Sequence, residues 1–222
     1  MHIITTNFNG NPNIGLYGFA TNTYCLLGKE VPDKVISDIK KVLNVPVHKV
    51  QICGTSLAGV FFAGNDKCLL LPTIAFESEV RQIEKLHIPF QLIKTKLTAL
   101  GNNILCNNKG ALVNPDFSAE TKKRIRQALD VKLHPGTIAE LPTVGSLGVT
   151  NKNGTVLHQH AKKFDIAEVE GLLGVPADTA TINRGSPYIR SGVIANDHGM
   201  AVSDYSWGPE LGYVDNILFL RQ

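Results

Sequence analysis

The 222-residue chain holds one tryptophan, two methionines and four cysteines, and charged residues make up only 18% of it. Each scarcity excludes something. The cysteines, Cys25, Cys53, Cys68 and Cys106, form no C-x-x-C pair, so the common zinc and redox spacings are missing, and their apolar neighbours make them read as buried thiols in strands. A net charge of +3 with only short basic runs, such as Lys122-Lys123-Arg124 followed by Arg126, lacks the basic stripe of a free-standing nucleic-acid binder. That run reads as a solvated helix face. No stretch reaches the ~18–20 apolar residues of a membrane span, so no membrane partner is expected. The opening Met1-His2-Ile3-Ile4-Thr5-Thr6 has neither the basic flank nor the apolar core of a signal peptide. A glycosylation sequon at Asn153-Gly154-Thr155 therefore carries little weight, and a soluble, cytoplasmic protein is expected. There is no G-x-x-x-x-G-K-[ST] loop and no G-x-S-x-G elbow, so neither a nucleotide nor another cofactor is expected.

What the chain does have is a repeat. Gly15, Gly59, Gly101, Gly145 and Arg190 stand at intervals of 42 to 45 residues. Six positions after each comes Thr21, Asn65, Asn107, Asn151 or Asn196, and three further on Tyr24, Cys68, Gly110, Gly154 or Gly199. Five such intervals account for nearly the whole chain, and a period of this length marks an array of small units rather than independent domains.

Within a unit the pattern reads hairpin, helix, strand. Val60–Ala63 and Cys68–Leu71 read as a hairpin turning at Asn65-Asp66-Lys67, and Asn102–Cys106 with Ala111–Val113 as its counterpart one unit on. Asn and Gly tolerate left-handed backbone, so the Asn-x-x-Gly spacing reads as tight-turn chemistry. Apolar residues then recur at helical spacing: Val35, Ile36, Ile39, Val42 and Leu43; Phe76, Val80, Ile83 and Leu86; Ile166, Val169, Leu172 and Leu173. Asp165 with Glu168 suggests a capping box. Leu43-Asn44-Val45-Pro46 and its siblings end the helices, since proline cannot continue one. Val50–Ile52 and Phe90–Ile93 then read as strands.

The last unit runs out of chain after Leu218, with no closing strand, whereas residues 2–7 form a strand with no helix before it. Placing that first strand in the vacant slot closes a ring and removes open sheet edges. The expected architecture is a single α/β domain over 1–222, a five-bladed closed ring with units at about 11–54, 55–96, 97–140, 141–184 and 185–222 plus the strand 1–8. The residue before each corner is Ile14, Ala58, Leu100, Val144 or Ile189. Five apolar residues at one equivalent place are either core or a binding rim.

Asn13-Ile14-Gly15, Thr21–Leu26, Leu97–Asn102 and Asn183-Arg184-Gly185-Ser186, with Val144-Gly145-Ser146 and Gly208–Leu211, closely resemble the archaeal and eukaryotic initiation factor 6 family. The match runs from about Phe8 to Leu218, without the C-terminal tail of eukaryotic members. It departs from the family pattern at His158-Gln159-His160 and Lys132. The resemblance implies a pentein-type ring, without chemistry of its own, that binds the large ribosomal subunit and blocks joining of the small one, with large-subunit biogenesis a possible second role. The contact would be mainly protein-mediated, the protein would be a monomer, and release would require a GTPase related to elongation factors. Residues matching the family's binding face are Asn13, Ile14, Leu57, Leu100, Asn102, Val144, Ser146, Arg184 and Tyr188.

The alternative class is enzymatic, because other penteins modify guanidino groups through a nucleophilic cysteine. Those enzymes carry that cysteine late in the chain, whereas the last one here is Cys106. His158 and His160 would share a strand face, but zinc needs three or four ligands and no further His/Cys cluster lies near in sequence.

Overall fold

The computed structural model, which describes residues 2–220, consists of five three-stranded sheets, each with one long helix. The first sheet holds β2 (Gly18–Ala20), β3 (Cys25–Gly28) and β4 (Val47–Val50), with α1 (Asp33–Leu43) between the last two. The second holds β5 (Ala63–Gly64), β6 (Leu69–Pro72) and β7 (Phe90–Ile93), with α2 (Glu77–Lys85). The third holds β8 (Ile104–Cys106), β9 (Gly110–Val113) and β10 (Lys132–Pro135), with α3 (Ala119–Leu129). The fourth holds β11 (Gly148–Thr150), β12 (Thr155–His158) and β13 (Ala177–Ala180), with α4 (Lys163–Leu173). The fifth pairs β14 (Val193–Ala195) with β15 (Met200–Ser203), followed by α5 (Gly208–Asp215). Its third strand is β1 (Ile3–Thr6), parallel to β15 from Ile3↔Met200 to Thr6↔Ser203. The closure expected from the orphan first strand is therefore observed. In every sheet the first two strands are antiparallel and the third runs parallel to the second.

The cores lie between the sheets. Ile39, Val42 and Leu43 of α1 pack with Cys25 and Leu27 of the first sheet and with Ile194 and Ala201 of the fifth. Ile83 of α2 packs with Leu69 and Leu71 of its own sheet and with Leu26 and Val50 of the preceding one. Each helix is thus wedged between two neighbouring blades, so a blade on its own lacks half of its burial. That is the physical reason the units exist only as a closed set.

The first four helices end at a residue in left-handed backbone, Asn44, His87, Asp130 or Gly174 with φ between 50° and 64°, whereas α5 runs on through Asn216 with φ −57°. Three of the four left-handed residues precede a proline by two residues, and the carbonyls of Pro46, Pro89 and Pro176 then accept the first hydrogen bond of the parallel pairing. Phe76, read as part of the apolar face of α2, is 58% exposed at the N-cap. Asp165 is the third residue of α4, not its cap: its carboxylate accepts from the N–H groups of Lys162 and Ala139. Glu168 instead meets His134 at 2.9 Å. Val60 and Phe61 belong to a helical turn, Ala58–Phe61, and Asn102 to another, Leu100–Asn103; the strands begin only at Ala63 and Ile104.

The recurring asparagine is a strut rather than a left-handed turn residue. None of Asn65, Asn107, Asn151 and Asn196 has positive φ, and neither do Gly110, Gly154 and Gly199. The side-chain oxygen of Asn107 accepts from the N–H groups of Lys109 and Gly110, holding its own hairpin turn. Its amide donates to the carbonyl of Leu173 at 2.9 Å, at the end of the next blade's helix. Asn65 reaches Leu129 and Asn196 reaches Leu43 in the same way, and Asn151 reaches Leu218. The glycine three residues on is required by the same approach. A Cβ on Gly110, Gly154 or Gly199 would sit within 2.4 Å of the carbonyl of Leu172, Ile217 or Val42.

Candidate functional site

A ring has two mouths, and the sequence repeats place different residues at each. The first strands, with Phe19, Ala63, Leu105, Val149 and Ile194 among them, line a narrow central channel. At one end stand the hairpin turns. At the other stand the five corners: Ile14–Leu16, Ala58–Phe61, Leu100–Asn103, the turn around Gly145, and Ile189–Gly192.

The corners need glycine because they stack on one another. A Cβ on Gly59 would lie 1.9 Å from the carbonyl oxygen of Gly15, one on Gly101 2.1 Å from that of Gly59, and one on Gly145 2.1 Å from that of Gly101. Gly15 meets the carbonyl of Arg190 at 1.8 Å by the same construction. Arg190 takes the fifth place, and its side chain crosses toward the opposite corner, where Nε donates to the Gly59 carbonyl at 3.3 Å. Arg190 lines both the channel and the cavity at the corner mouth, so it separates the two.

That cavity, about 330 Å³, is lined by Asn13, Leu16, Gly59, Asn102, Thr143, Ser146, Ser186, Tyr188, Arg190 and Ser191. Four of the nine residues expected from the family resemblance, Asn13, Asn102, Ser146 and Tyr188, are brought together there. The geometry explains why. Asn13, Leu57, Ala99 and Tyr188 are the N-caps of their corner turns, with similar backbone (φ from −87° to −76°, ψ from 54° to 78°). Thr143 stands at the same offset, two before the corner. Leu16, Asn102, Ser146 and Ser191 follow the corner by one residue. Leu57 occupies the N-cap place of the second blade and is half-buried.

Three expected residues are not on this surface. Ile14, Leu100 and Val144 are fully buried, as are Ala58 and Ile189. The apolar position before each corner points into the wedge cores, where Ile14 meets Leu27 and Ile39 and Leu100 meets Ile93 and Ile104. Those five residues are core and not a rim. Arg184 is exposed but stands apart, in the turn after β13, with its guanidinium 4.4 Å from the Tyr205 ring and 5.8 Å from that of Trp207. The turn is held by Glu210, the third residue of α5. Its carboxylate accepts from the N–H groups of Arg184, Gly185 and Trp207 and from the Thr181 hydroxyl. Burial pushes the Glu210 carboxyl up, but these four donors together outweigh it and leave its pKa below the ordinary carboxylate value.

Leu16, Thr143, Ser186, Arg190 and Ser191 were not anticipated. For four of them the signal was a fixed offset from the corner or, for Arg190, the corner itself. The position after the corner is Leu16, Val60, Asn102, Ser146 or Ser191, so no single residue type marks it.

The polar groups of the corner mouth are largely open. Tyr188 is 47% exposed, its ring edge-on to His158 at 6.3 Å. Ser146 donates to the Thr143 carbonyl at 2.7 Å. Among the described residues, the side-chain amides of Asn13 and Asn102 have no hydrogen-bond partner in the chain.

No group of three or more His, Cys, Asp or Glu side chains suited to a metal occurs among the described residues. β12 ends at His158, and His160 follows in a turn whose N–H donates to His158 Nδ1 at 3.1 Å, so the two do not share a strand face. All four cysteines are free. Cys53 sits at a turn with φ 52° rather than in a strand. Cys106 lines the channel and donates its thiol to the Gly64 carbonyl at 3.1 Å. Burial pushes that thiol up to about 11, against smaller opposing pulls from this hydrogen bond and from Arg190, the reverse of what a nucleophilic thiolate needs. No helix among the described residues is long and apolar enough to cross a membrane.

Comparison with known proteins bears on both fold and lineage. DDAH from Pseudomonas aeruginosa in complex with citrulline superposes with a TM-score of 0.50 at 11% identity, over 75% of this chain and 68% of that one. The product-bound N-terminal domain of ArgZ, an arginine dihydrolase from cyanobacteria, gives 0.51 at 10% identity, over 76% and 67%. At such identities the likeness concerns the fold alone, which is the pentein fold. Sequence relatives are nearer. Translation initiation factor 6 of Saccharolobus islandicus is 34% identical over 214 residues, covering 95% of this chain and 96% of that protein. The proteins of that name from Staphylothermus marinus and Pyrococcus abyssi are 35% and 33% identical, the latter over 99% of this chain and 100% of its own. The model of the eIF-6 family matches residues 3–217, and the chain belongs to the eIF-6 family.

Proposed function

We propose that this protein binds the large ribosomal subunit through the corner mouth of its ring and, by covering part of the joining surface, keeps the small subunit away. The observation that carries the reading is the cavity in which Asn13, Asn102, Ser146 and Tyr188 converge, in a chain whose relatives carry a translation-factor name. Open amides and an exposed tyrosine around a recess are what a protein–protein contact uses: an aromatic anchor with polar groups positioned around it. A net charge of +3 favours a mainly protein-mediated contact over one dominated by rRNA phosphates.

The action is steric, with no bond made or broken. A rigid ring suits that role, because a surface that does not reorganise loses little entropy on binding. The protonated Cys106 thiol supports a non-enzymatic reading. Release then depends on a second factor, a GTPase of the elongation-factor type, and the protein acts as a monomer in the cytoplasm. The same binding would accompany large-subunit assembly.

The test is sedimentation of purified subunits with and without the protein. Co-sedimentation with the large subunit and fewer joined particles is the expected result. A protein that stays at the top of the gradient, or that binds while joining proceeds as before, would overturn the proposal.

A further inference from the structure

The third strand of each sheet, β4, β7, β10, β13 or β1, lies at an outer edge. On β4 the carbonyls of Pro46 and Val50 accept from Cys25 and Lys29, so by strand alternation Val47 and Lys49 turn their backbone groups outward. That edge is covered by the next blade. Gln82, the sixth residue of α2, donates to the Lys49 carbonyl at 2.9 Å and accepts from the Gln51 N–H at 3.4 Å. Glu79, the third residue, takes the N–H groups of the following turn at Cys53 and Gly54. One helix thus caps the strand edge and the turn beyond it.

β1 stands in the same relation to α1. The His2 and Thr6 carbonyls accept from the N–H groups of Met200 and Asp204, which turns the backbone of Ile3 and Thr5 outward. The third and sixth residues of α1 are Val35 and Asp38. Valine has no polar group to offer, and a carboxylate has no N–H to give the Thr5 carbonyl. Among the described residues, this edge therefore lacks the cover that β4 has. It opens into a cleft of about 570 Å³, lined by Ile3 to Thr6 along the floor, by Val35 and Asp38 on the α1 side, and by Leu211, Gly212 and Asp215 on the α5 side. That volume lies within the range of ligand clefts, about 300–1,000 Å³.

Each wall combines apolar surface with one carboxylate. Among the described residues, Asp38 pairs with exposed Lys41 at 3.6 Å and the adjoining Ser37 hydroxyl, while Asp215 accepts from His2 Nε2 at 2.7 Å. An added strand directs alternate side chains to opposite walls, so an occupant with one apolar and one cationic residue per face matches both. We propose that this cleft takes an extended, basic segment of a partner protein as a fourth strand on the β1 edge, its backbone bonded to Ile3 and Thr5 and its cations placed at Asp38 and Asp215. The site lies on the outer edge of the fifth sheet, lined by none of the residues of the corner mouth, and the inference does not rest on the ribosome reading.

The test uses the full chain and the peptide Thr-Val-Val-Lys-Lys-Thr-amide carrying fluorescein on its N-terminal nitrogen, with binding followed by anisotropy and amide exchange by NMR. Saturable binding is expected, with slowed exchange at Ile3 and Thr5. Gly212→Arg should weaken binding by about tenfold or more, since it fills the cleft and repels cations. A Cβ at Gly212 meets nothing within 4 Å, so this variant keeps its fold, which circular dichroism checks. Asp38→Asn should weaken binding by about threefold. The proposal fails if the peptide does not bind, if a counterpart with Glu in place of Lys binds equally well, or if folded Gly212→Arg binds as before. It also fails if Ile3 and Thr5 are protected by self-association in the absence of peptide, which would make a second copy the occupant.

Discussion

At the hairpin mouth the residues one past the recurring Thr21/Asn position are linked in a chain, Asn108 to Asp66 to Asn22 to Asp197 to Lys152. Asp66 accepts from the Asn22 backbone and side chain and from the Asn108 side chain, and its own N–H donates to Asn108. Asp197 accepts from Asn22 and from the Lys152 N–H, and its N–H donates back to Asn22. At the corner mouth the equivalent ring of Asn13, Asn102, Ser146 and Tyr188 has no comparable chain of side-chain bonds among the described residues. Both mouths are polar and both come from the same repeat. One satisfies its polar groups internally and so stabilises the ring; the other leaves them available. Polarity alone therefore does not distinguish the two mouths; what distinguishes the proposed binding surface is that its polar groups remain free for a partner.

The largest expected effect tests whether the corner support is rigid. Gly59→Val forces side-chain atoms onto the Gly15 carbonyl, which already lies 1.9 Å from a Cβ at that place. The obstacle is backbone on a closed ring, so it has nowhere to retreat. A loss of about 3 kcal/mol or more in urea unfolding is expected. A loss below about 1 kcal/mol would mean that the corners are not a close-packed stack.

At the hairpin mouth, Asn107→Ala removes the strut to Leu173 and the acceptor for Lys109 and Gly110. Losing these bonds, two of them partly buried, should cost about 2 kcal/mol. Thr21 marks the blade where the strut is naturally missing: its hydroxyl serves Thr23 and Tyr24 locally. Thr21→Asn is accordingly a milder change than any strut removal, and the contrast in urea midpoints measures what the inter-blade half of the bond contributes.

Much of this was legible in the residues and some was not. The orphan strand Ile3–Thr6 and the vacant slot after Leu218 predict closure, because an exposed edge is costly wherever it lies. The corner glycines recur visibly, yet the close carbonyl approach that demands them involves residues some 44 positions away, which a local pattern does not carry. Asn107-x-x-Gly110 looks the same whether the asparagine adopts left-handed backbone or reaches another blade; only Leu173 distinguishes the two. Val60-Phe61-Phe62 illustrates the ambiguity of short apolar runs, which serve strand and helical turn alike. Ile14, Leu100 and Val144, expected beside Asn13, Asn102 and Ser146, are core; their chemical sameness at one equivalent place was the visible signal. A core repeats its residue type. A surface made of Asn13, Leu57, Ala99, Thr143 and Tyr188 does not.

Glu210 sharpens the comparison with pH. Its carboxylate is held to the turn at Arg184–Gly185 and to the start of α5, with its folded pKa below the ordinary value. A depressed carboxylate pKa contributes stability that is present above the unfolded pKa, about 4.3, and is lost as pH falls through the folded value. Glu210→Gln should lower stability by about 1–2 kcal/mol at neutral pH, and the difference from the parent should shrink below about pH 4.3. A gap that stays constant down to pH 2 would show that the charge does not matter there.

The smallest expected change in stability is the most informative about function. Asn102→Lys and Tyr188→Ala alter side chains that line an open recess, so each should shift unfolding by no more than about 0.5 kcal/mol. Both should still reduce co-sedimentation with the large subunit, Asn102→Lys by about tenfold or more because a long cation replaces a short amide inside the recess. Asp66→Ala is the mirror image: it removes the acceptor shared by Asn22 and Asn108 and should cost about 1–2 kcal/mol while leaving co-sedimentation intact. If Asp66→Ala abolished binding and Asn102→Lys did not, the two mouths would exchange roles. The open amides at the corners would then be ordinary solvated groups, and the partner would sit over the hairpin turns.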